Sequence, residues 1–308
     1  MHLRKQVETF LFPARSSRWI ALLRTGLGLQ ITIYSFSLWS GWSSLFAASS
    51  DNIINRELTE ALLSLDSRFI PRFGWLVSLG AQIGLSEAVV LRLALAFLLC
   101  SGLCLLTGFL SRPAAITAWF LHLAARSSGG FTAYGVDNFM TIGLFYLMLC
   151  PLPDVYSIDA LLRPGRTIDP RRVGFFQRLL QLHVCLIYFF AGLAKCLGTG
   201  WWNGDSIWRA LIRAPFNVIS PDFLLRWSAL LPFIGISICL LEVSYPFLVW
   251  ARKTRPIWYF SIIAVHVGIG ITMGLYLFAL IMIVLNVAAF GADLPPFSKW
   301  REARTAEQ

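Results

Sequence analysis

Long apolar runs without charged residues dominate the pattern of hydrophobic and polar positions along this chain. The run from Ser228 to Val249 contains a single charged residue, Glu242. The run from Ile257 to Phe290 contains one histidine, His266, and no charged residue. A helix needs about 20 predominantly apolar residues to cross the hydrocarbon core of a bilayer. The pattern therefore predicts an all-α, polytopic bundle of membrane-spanning helices.

The apolar runs predict about eight transmembrane helices. The last two runs are continuous, but a single helix over both would be roughly 50 Å long, which is too long for one crossing. Gly268, Gly270 and Gly274 offer a place for a turn between two helices. The predicted spans are Trp19–Leu38, Ala88–Leu110, Pro113–Phe131, Val136–Cys150, Leu179–Leu197, Ser228–Val249, Pro256–Thr272 and Leu275–Phe290.

Two loops on the outer side of the predicted bundle are long enough to hold structure of their own. The segments Asp51–Ser86 and Gly198–Trp227 both combine aromatic residues with amphipathic patterning. We expect short helices there that lie in the membrane interface, with Trp201, Trp202 and Trp208 at the depth of the headgroups.

The distribution of charge sets the predicted orientation. Charged residues make up only 14% of the chain, against about 25% in soluble domains, and the formal net charge is +10. Most basic residues lie in loops on one side of the bundle, as the positive-inside rule requires of cytoplasmic segments, and no basic helix face suggests nucleic-acid binding. We expect a bacterial inner-membrane protein with both termini in the cytoplasm, divided into a basic arm (1–18), a transmembrane domain (19–290) and a disordered tail (291–308).

The six cysteines lie in or at the edge of apolar runs and lack the CxxC or Cys/His spacing of a metal site. We interpret them as small packing residues and predict no metal centre. Cys196, beside Lys195, is the cysteine whose reactivity merits a test.

Ionisable residues inside spanning segments are costly and are candidates for functional sites. Lys195 is the clearest case, because Tyr188, Ala191, Gly192 and Lys195 share one face of a helix at spacings of three, four and seven. Small residues on that face let a neighbouring helix approach closely. A lysine kept from water there could act as a base or nucleophile, and the alternative is a lysine whose side chain extends to the headgroups.

The predicted helix directions bring several polar residues to similar depths. Lys195 falls near the outer end of the fifth span, and His266 lies at middle to outer depth in the seventh. Asp137 and Asn138 open the fourth span at its outer end, and His122 reaches the same depth in the third. We therefore expect a site in the outer half of the bundle that faces the periplasm.

Glu242 lies deeper, at the middle of the sixth span. Pairing with Arg92 or Arg24 would make it a structural residue, and a free carboxylate would make it a proton-transfer group. The sequence leaves both interpretations open.

One motif resembles a known family. The stretch QLHVCLIYFFAGLAK (181–195), followed by WWNG (201–204), is similar to the signature of the HTTM superfamily of horizontally transferred transmembrane domain proteins. That superfamily includes the vitamin K-dependent gamma-glutamyl carboxylases and the bacterial sporulation-delaying protein B-like group. The resemblance covers about Trp19 to Phe290, and its supporting matches are Asp137-Asn138 before Pro151, Glu242 to Pro246, and His266.

The resemblance implies a quinol-like cofactor. In the carboxylases the lysine of this motif is tied to deprotonation of reduced vitamin K, and Lys195 takes its position here, with His266 at that of a helix histidine. Asn138 stands where the carboxylases have a functional histidine, and the sequence contains no counterpart of their large lumenal domain. In length the chain is closer to the bacterial relatives that are required for maturation of secreted peptide toxins.

Three hypotheses follow. The first is a membrane enzyme with a periplasm-facing pocket for a quinol-like cofactor or a secreted peptide. Its pocket would include Asp137, Tyr188, Gly192, Trp201, Trp202, His122 and Glu242 around the catalytic residues Lys195, His266 and Asn138. The second is a non-catalytic scaffold that holds a secreted peptide or a small partner protein during export or maturation. The third, a transporter, lacks the inverted repeats and paired broken helices typical of that class.

Overall fold

The computed structural model describes residues 2–48, 54–130, 133–165, 168–215, 217–292 and 294. These residues form helices and turns without any strand, which confirms the all-α prediction for this part of the chain. The α-helices are α1 (His2–Leu11), α2 (Arg18–Ser37), α3 (Trp42–Phe46), α4 (Arg56–Asp66), α5 (Phe73–Gln82), α6 (Glu87–Thr107), α7 (Ser111–Ser128), α8 (Gly135–Leu149), α9 (Ile158–Leu162), α10 (Pro170–Cys196), α11 (Thr199–Trp202), α12 (Asp205–Ile212), α13 (Pro221–Arg226), α14 (Leu231–Leu248), α15 (Arg255–Met273) and α16 (Tyr276–Asn286).

Every one of the eight predicted spans contains a helix, namely α2, α6, α7, α8, α10, α14, α15 and α16. By length and composition, four helical segments of the described chain are able to cross a membrane, and two apolar helices are shorter. The chain therefore has several membrane-spanning helices, while a total of eight crossings stays a prediction. The four segments are Glu87–Thr107, Pro170–Cys196, Ser228–Leu248 and Arg255–Met273.

The fifth predicted span starts earlier than its hydrophobicity indicated. We placed its start at Leu179, but α10 begins at Pro170. The Asp169 carboxylate accepts a hydrogen bond from the backbone N–H of Arg171 (2.9 Å), and Pro170 occupies a first-turn position where no N–H is needed. Capping chemistry, rather than the start of the apolar run, determines where this helix begins.

Both predicted outer loops contain helices, α4 and α5 in the first and α11 to α13 in the second. Asn55 caps α4 by accepting a hydrogen bond from the N–H of Leu58 (3.0 Å), and the Ser220 hydroxyl does the same for Phe223 at α13 (3.4 Å). The depth of these helices in a membrane stays a prediction. Most of the predicted tail, residues 293 and 295–308, lies outside the described residues.

The helices form two compact units. One comprises Ile20–Ile168 and holds most of α2 together with α3 to α9. The other comprises Met1–Trp19 and Asp169–Gln308 and holds α1 and α10 to α16. In the second unit α10 packs along α14, and α15 packs along α16.

A buried ion pair ties the ends of the first unit together. The Arg24 Nε donates to Asp154 Oδ2 at 2.7 Å, and both side chains are almost fully buried. The remaining donors of the guanidinium reach the backbone carbonyls of Leu105, Leu106 and Tyr156. Arg24 therefore joins α2 to the end of α6 and to the segment before α9, with its hydrogen-bonding groups satisfied.

We predict that Asp154→Ala destabilises the protein by about 3–5 kcal/mol, because it leaves the Arg24 guanidinium buried without a counter-ion. The matched control is Glu8→Ala, which removes a partner of the exposed pair Glu8–Arg171 and costs less than about 1 kcal/mol. Denaturant-induced unfolding in detergent micelles measures both. Equal losses in the two variants would contradict a special role for the buried pair.

A second carboxylate outside the spans caps α7. Asp159 accepts hydrogen bonds from the backbone N–H groups of Leu110 (2.9 Å) and Ser111 (2.7 Å). Burial disfavours the charged form of this carboxyl, but these hydrogen bonds and the charge of Arg163 outweigh it and hold its pKa below the ordinary value of 3.8. The folded protein therefore stabilises the ionised form of Asp159 more than the unfolded chain does.

The stabilisation from Asp159 is consequently complete above pH 3.8 and declines as the pH falls through the lower pKa of the folded protein. We expect Asp159→Asn to be less stable than wild type near neutral pH, and we expect that gap to close on acidification. Unfolding midpoints of both proteins from about pH 7 to about pH 2 measure the gap. A gap that stays constant over this range would show that the carboxylate charge does not contribute.

Candidate functional site

The site is built where α10 and α14 come into backbone contact. A Cβ atom at Gly192 would lie 2.6 Å from the backbone N of Val243 and 2.8 Å from Cβ of Glu242. Real Cβ atoms do not approach other atoms so closely, so only glycine allows the two helices this separation. Gly192 thereby places the side chains one turn further along α10 within reach of α14.

Lys195 forms an ion pair with Glu242 across this contact. The Lys195 Nζ donates to Glu242 Oε2 at 2.5 Å, with side-chain exposures of 22% and 8%. The ammonium also lies 5.3 Å from the centre of the Trp201 ring, within the range of a cation–π interaction. The side chain of Lys195 therefore ends on a carboxylate and an aromatic face instead of extending freely to the headgroups.

This pairing corrects one of our two interpretations of Glu242. That interpretation was a structural pair with Arg92 or Arg24, but Arg24 pairs with Asp154, and the exposed Arg92 donates to the carbonyl of Ala88 in its own helix. The choice of partner depends on which helices are neighbours, and α14 packs on α10. The spacing of residues in the sequence does not reveal which helices pack against each other.

A network of neutral polar side chains links α10, α14, α15 and α16. The Tyr188 hydroxyl lies 2.8 Å from Nε2 of His266 and accepts a hydrogen bond from Nδ2 of Asn286 (2.7 Å). The Tyr245 hydroxyl donates to Oδ1 of Asn286 (2.7 Å). All four side chains are buried, so their polar groups depend on each other for hydrogen bonds.

Asn286 determines the direction of these hydrogen bonds. Its Nδ2 donates to the backbone carbonyl of Met282 (2.8 Å) as well as to Tyr188. The opposite orientation of the amide would place its oxygen against the Met282 carbonyl oxygen, where neither atom could donate. The network is therefore directional from Tyr245 to Asn286 and from Asn286 to Tyr188.

Asn286 and Tyr245 contact the predicted site residues but were not themselves predicted from the sequence. A signal for Asn286 was present, since it is an amide in an otherwise apolar run. Tyr245 was part of the Glu242 to Pro246 motif but not of the predicted pocket. A lone polar residue in a spanning helix is a useful indicator because its hydrogen bonds must be made inside the protein.

The predicted site residues fall into both units. Lys195, His266, Tyr188, Gly192, Trp201 and Glu242 belong to the unit that holds α10 to α16, as does the half-exposed Trp202, whose Nε1 donates to the Cys196 carbonyl (2.8 Å). His122, Asp137 and Asn138 belong to the other unit. The convergence of the two groups stays a prediction.

Within the first unit, His122 and Asp137 do meet. Nε2 of the fully buried His122 lies 3.2 Å from the backbone carbonyl of Asp137. The Asp137 carboxylate accepts a hydrogen bond from the Tyr134 backbone N–H (2.9 Å), which caps α8. Asn138 is exposed. The structure thus gives Asp137 a capping role, and a functional role of Asn138 stays a prediction.

Besides the polar site, the second unit contains an apolar cavity of about 520 Å³ between α12, α14 and α15. Its lining includes Ile207, Phe233 and Ile269, but neither Lys195 nor His266. Among the described residues, no cluster of three or more His, Cys, Asp or Glu side chains is arranged to hold a metal ion.

Comparison with protein families matches residues 82–293 to the HTTM domain. The chain belongs to the HTTM family. All of the site residues named above, from His122 to Asn286, lie inside the matched region. Together with the apolar helices, membership of this family identifies an integral membrane protein. No curated protein and no solved structure matches this HTTM chain.

We predict that Gly192→Ala destabilises this HTTM protein by about 1–3 kcal/mol, because the added methyl group forces α10 away from α14. Gly268→Ala is the matched control, since a Cβ at this helical glycine meets no atom within 4 Å. That variant should be as stable as wild type or more stable by up to about 1 kcal/mol, as alanine favours helix. Unfolding in detergent compares the two, and an equal effect would argue against close packing at Gly192.

Proposed function

We propose that this HTTM protein is a membrane enzyme that moves a proton from a hydroxyl group of a quinol-like cofactor, of a secreted peptide, or of both. The observation that carries the proposal is the Lys195–Glu242 ion pair, placed beside the buried Tyr188–His266–Asn286 network. Ionisable groups between apolar helices cost stability and are retained mainly at functional sites.

The pair has the chemistry that proton transfer needs. Lys195 and Glu242 lie 2.5 Å apart, and in this proposal Glu242 takes the proton of Lys195 and leaves an amine that accepts a proton from a nearby hydroxyl. Trp201 covers one side of the amine, and part of the Lys195 side chain remains accessible. Access from outside distinguishes this pair from the fully buried Arg24–Asp154 pair.

The residues present also fit a quinol-like cofactor. Such a cofactor, when bound, supplies an acidic hydroxyl and a carbonyl or second hydroxyl oxygen. Lys195, paired with Glu242, offers an acceptor for the acidic proton, and the buried Nδ1 of His266 has no hydrogen-bond partner among the residues that the structure describes. We propose that Lys195, Glu242 and His266 hold the polar end of such a ligand.

The charge distribution supports a bacterial inner-membrane location with eight crossings and both termini in the cytoplasm. In that topology the Lys195 end of α10 faces the periplasm, where a secreted peptide would be available.

Duroquinol that has lost a proton to the protein is oxidised by dissolved oxygen to duroquinone, and the oxygen is reduced to hydrogen peroxide. We predict that Lys195→Met and Lys195→Arg both lower this duroquinol-dependent oxygen uptake by about 100-fold or more, because neither side chain accepts a proton. The protein is reconstituted in nanodiscs, and the rate without protein is subtracted. Lys253→Met, which removes an exposed loop lysine, serves as the matched control and should retain the wild-type rate.

The arginine variant separates this proposal from a scaffold role. Arginine preserves the positive charge and can still pair with Glu242, so full activity of Lys195→Arg would assign the pair to structure. Wild-type protein that leaves duroquinol unoxidised would contradict a quinol-like cofactor and favour a scaffold.

A further inference from the structure

The imidazole of His266 has one occupied and one unoccupied ring nitrogen. Its Nε2 contacts the Tyr188 hydroxyl at 2.8 Å. Its Nδ1 is buried and has no hydrogen-bond partner among the described residues. Buried polar atoms usually have a partner, and Nδ1 of His122 is among the other described atoms that lack one.

The hydrogen-bond network determines which nitrogen of a neutral His266 carries the proton. Tyr188 already accepts from Asn286, so the natural acceptor for its own proton is an unprotonated Nε2. The imidazole proton then lies on Nδ1, which is the one group of this described network without a partner. With the proton on Nε2, both the Tyr188 hydroxyl proton and the Nδ1 lone pair would lack partners. The first arrangement leaves one buried polar group unsatisfied and the second leaves two.

We infer that His266 holds its proton on Nδ1 and donates it to an acceptor oxygen of the ligand, of the carbonyl or hydroxyl class. His266 is then a hydrogen-bond donor in this site and not its base. Tyr188 and Asn286 are positioning residues that fix the tautomer. The tautomer follows from the network alone, whereas the ligand contact rests on the proposed function.

His122 provides an internal comparison. Its Nε2 faces the backbone carbonyl of Asp137 at 3.2 Å, and a carbonyl can only accept. His122 therefore carries a proton on Nε2, and its buried Nδ1, like that of His266, has no hydrogen-bond partner among the described residues. We therefore expect His266 and His122 to adopt opposite tautomers, because the partner of Nε2 is a hydroxyl donor in the first and a carbonyl acceptor in the second.

Long-range ¹H–¹⁵N correlation spectra of ¹⁵N-histidine-labelled protein test the tautomer. The chain has four histidines, so the ring signals are few and are assigned with His266→Phe and His122→Phe. We expect a protonated Nδ1 for His266 and a protonated Nε2 for His122. A protonated Nε2 in His266 would overturn the inference, whatever the enzymatic activity.

Two tyrosine variants test the cause of the tautomer. Tyr188→Phe removes the donor to Nε2, and we expect a signal of the Nε2-protonated form to appear. Tyr245→Phe is the matched control, because Asn286 keeps its contact with Met282 and Tyr188 keeps its direction. An unchanged His266 spectrum in Tyr188→Phe would contradict the role of the network.

Duroquinone, whose ring carbons are all substituted and do not add thiols, tests the ligand contact. We expect its binding to shift the His266 Nδ1–H proton resonance, and we expect His266→Phe to bind it about threefold to tenfold more weakly. Wild-type spectra that do not respond to duroquinone would overturn the donor role. The Lys195 variants can still lose activity when His266 does not respond to duroquinone. The proposed role of Lys195 and the donor role of His266 are therefore tested separately.

Discussion

The close approach of α10 and α14 at Gly192 is the constraint on which the site depends. Helices in a membrane gain little from burying apolar side chains against each other, so their packing relies on small residues and on hydrogen bonds between helices. Gly192 lets the backbones meet, and the Lys195–Glu242 pair then joins the same two helices one turn further along. A larger side chain at position 192 would separate the two charges and leave each of them partly desolvated without a partner.

Two kinds of polar contact lie next to each other in this unit and have different properties. Lys195 and Glu242 form an ion pair in which the lysine side chain is partly accessible. Tyr188, Tyr245, Asn286 and His266 are neutral and buried, and their hydrogen bonds run in one direction because the Met282 carbonyl orients Asn286. The first contact is an ion pair with an accessible portion, and the second is a set of hydrogen bonds between buried side chains.

Buried polar groups in the other unit illustrate the structural alternative. Arg24 and Asp154 are both almost fully buried, and the guanidinium is saturated by backbone carbonyls. The guanidinium of such a pair has no hydrogen-bond donor left to bind a ligand. Lys195 differs from Arg24 in that part of its side chain remains accessible.

The sequence by itself determined the helical class, the approximate positions of the eight helices in the predicted spans and the shared helix face of Tyr188, Gly192 and Lys195, because helix periodicity and hydrophobicity are local properties of the chain. It did not determine the start of α10, which depends on a cap at Asp169, nor the partner of Glu242. Only the tertiary structure decided that Lys195 faces Glu242 and that Asn286 and Tyr245 complete the network around His266. These contacts join residues from 41 to 98 positions apart, and such pairings follow from which helices pack together, a property that no local pattern encodes.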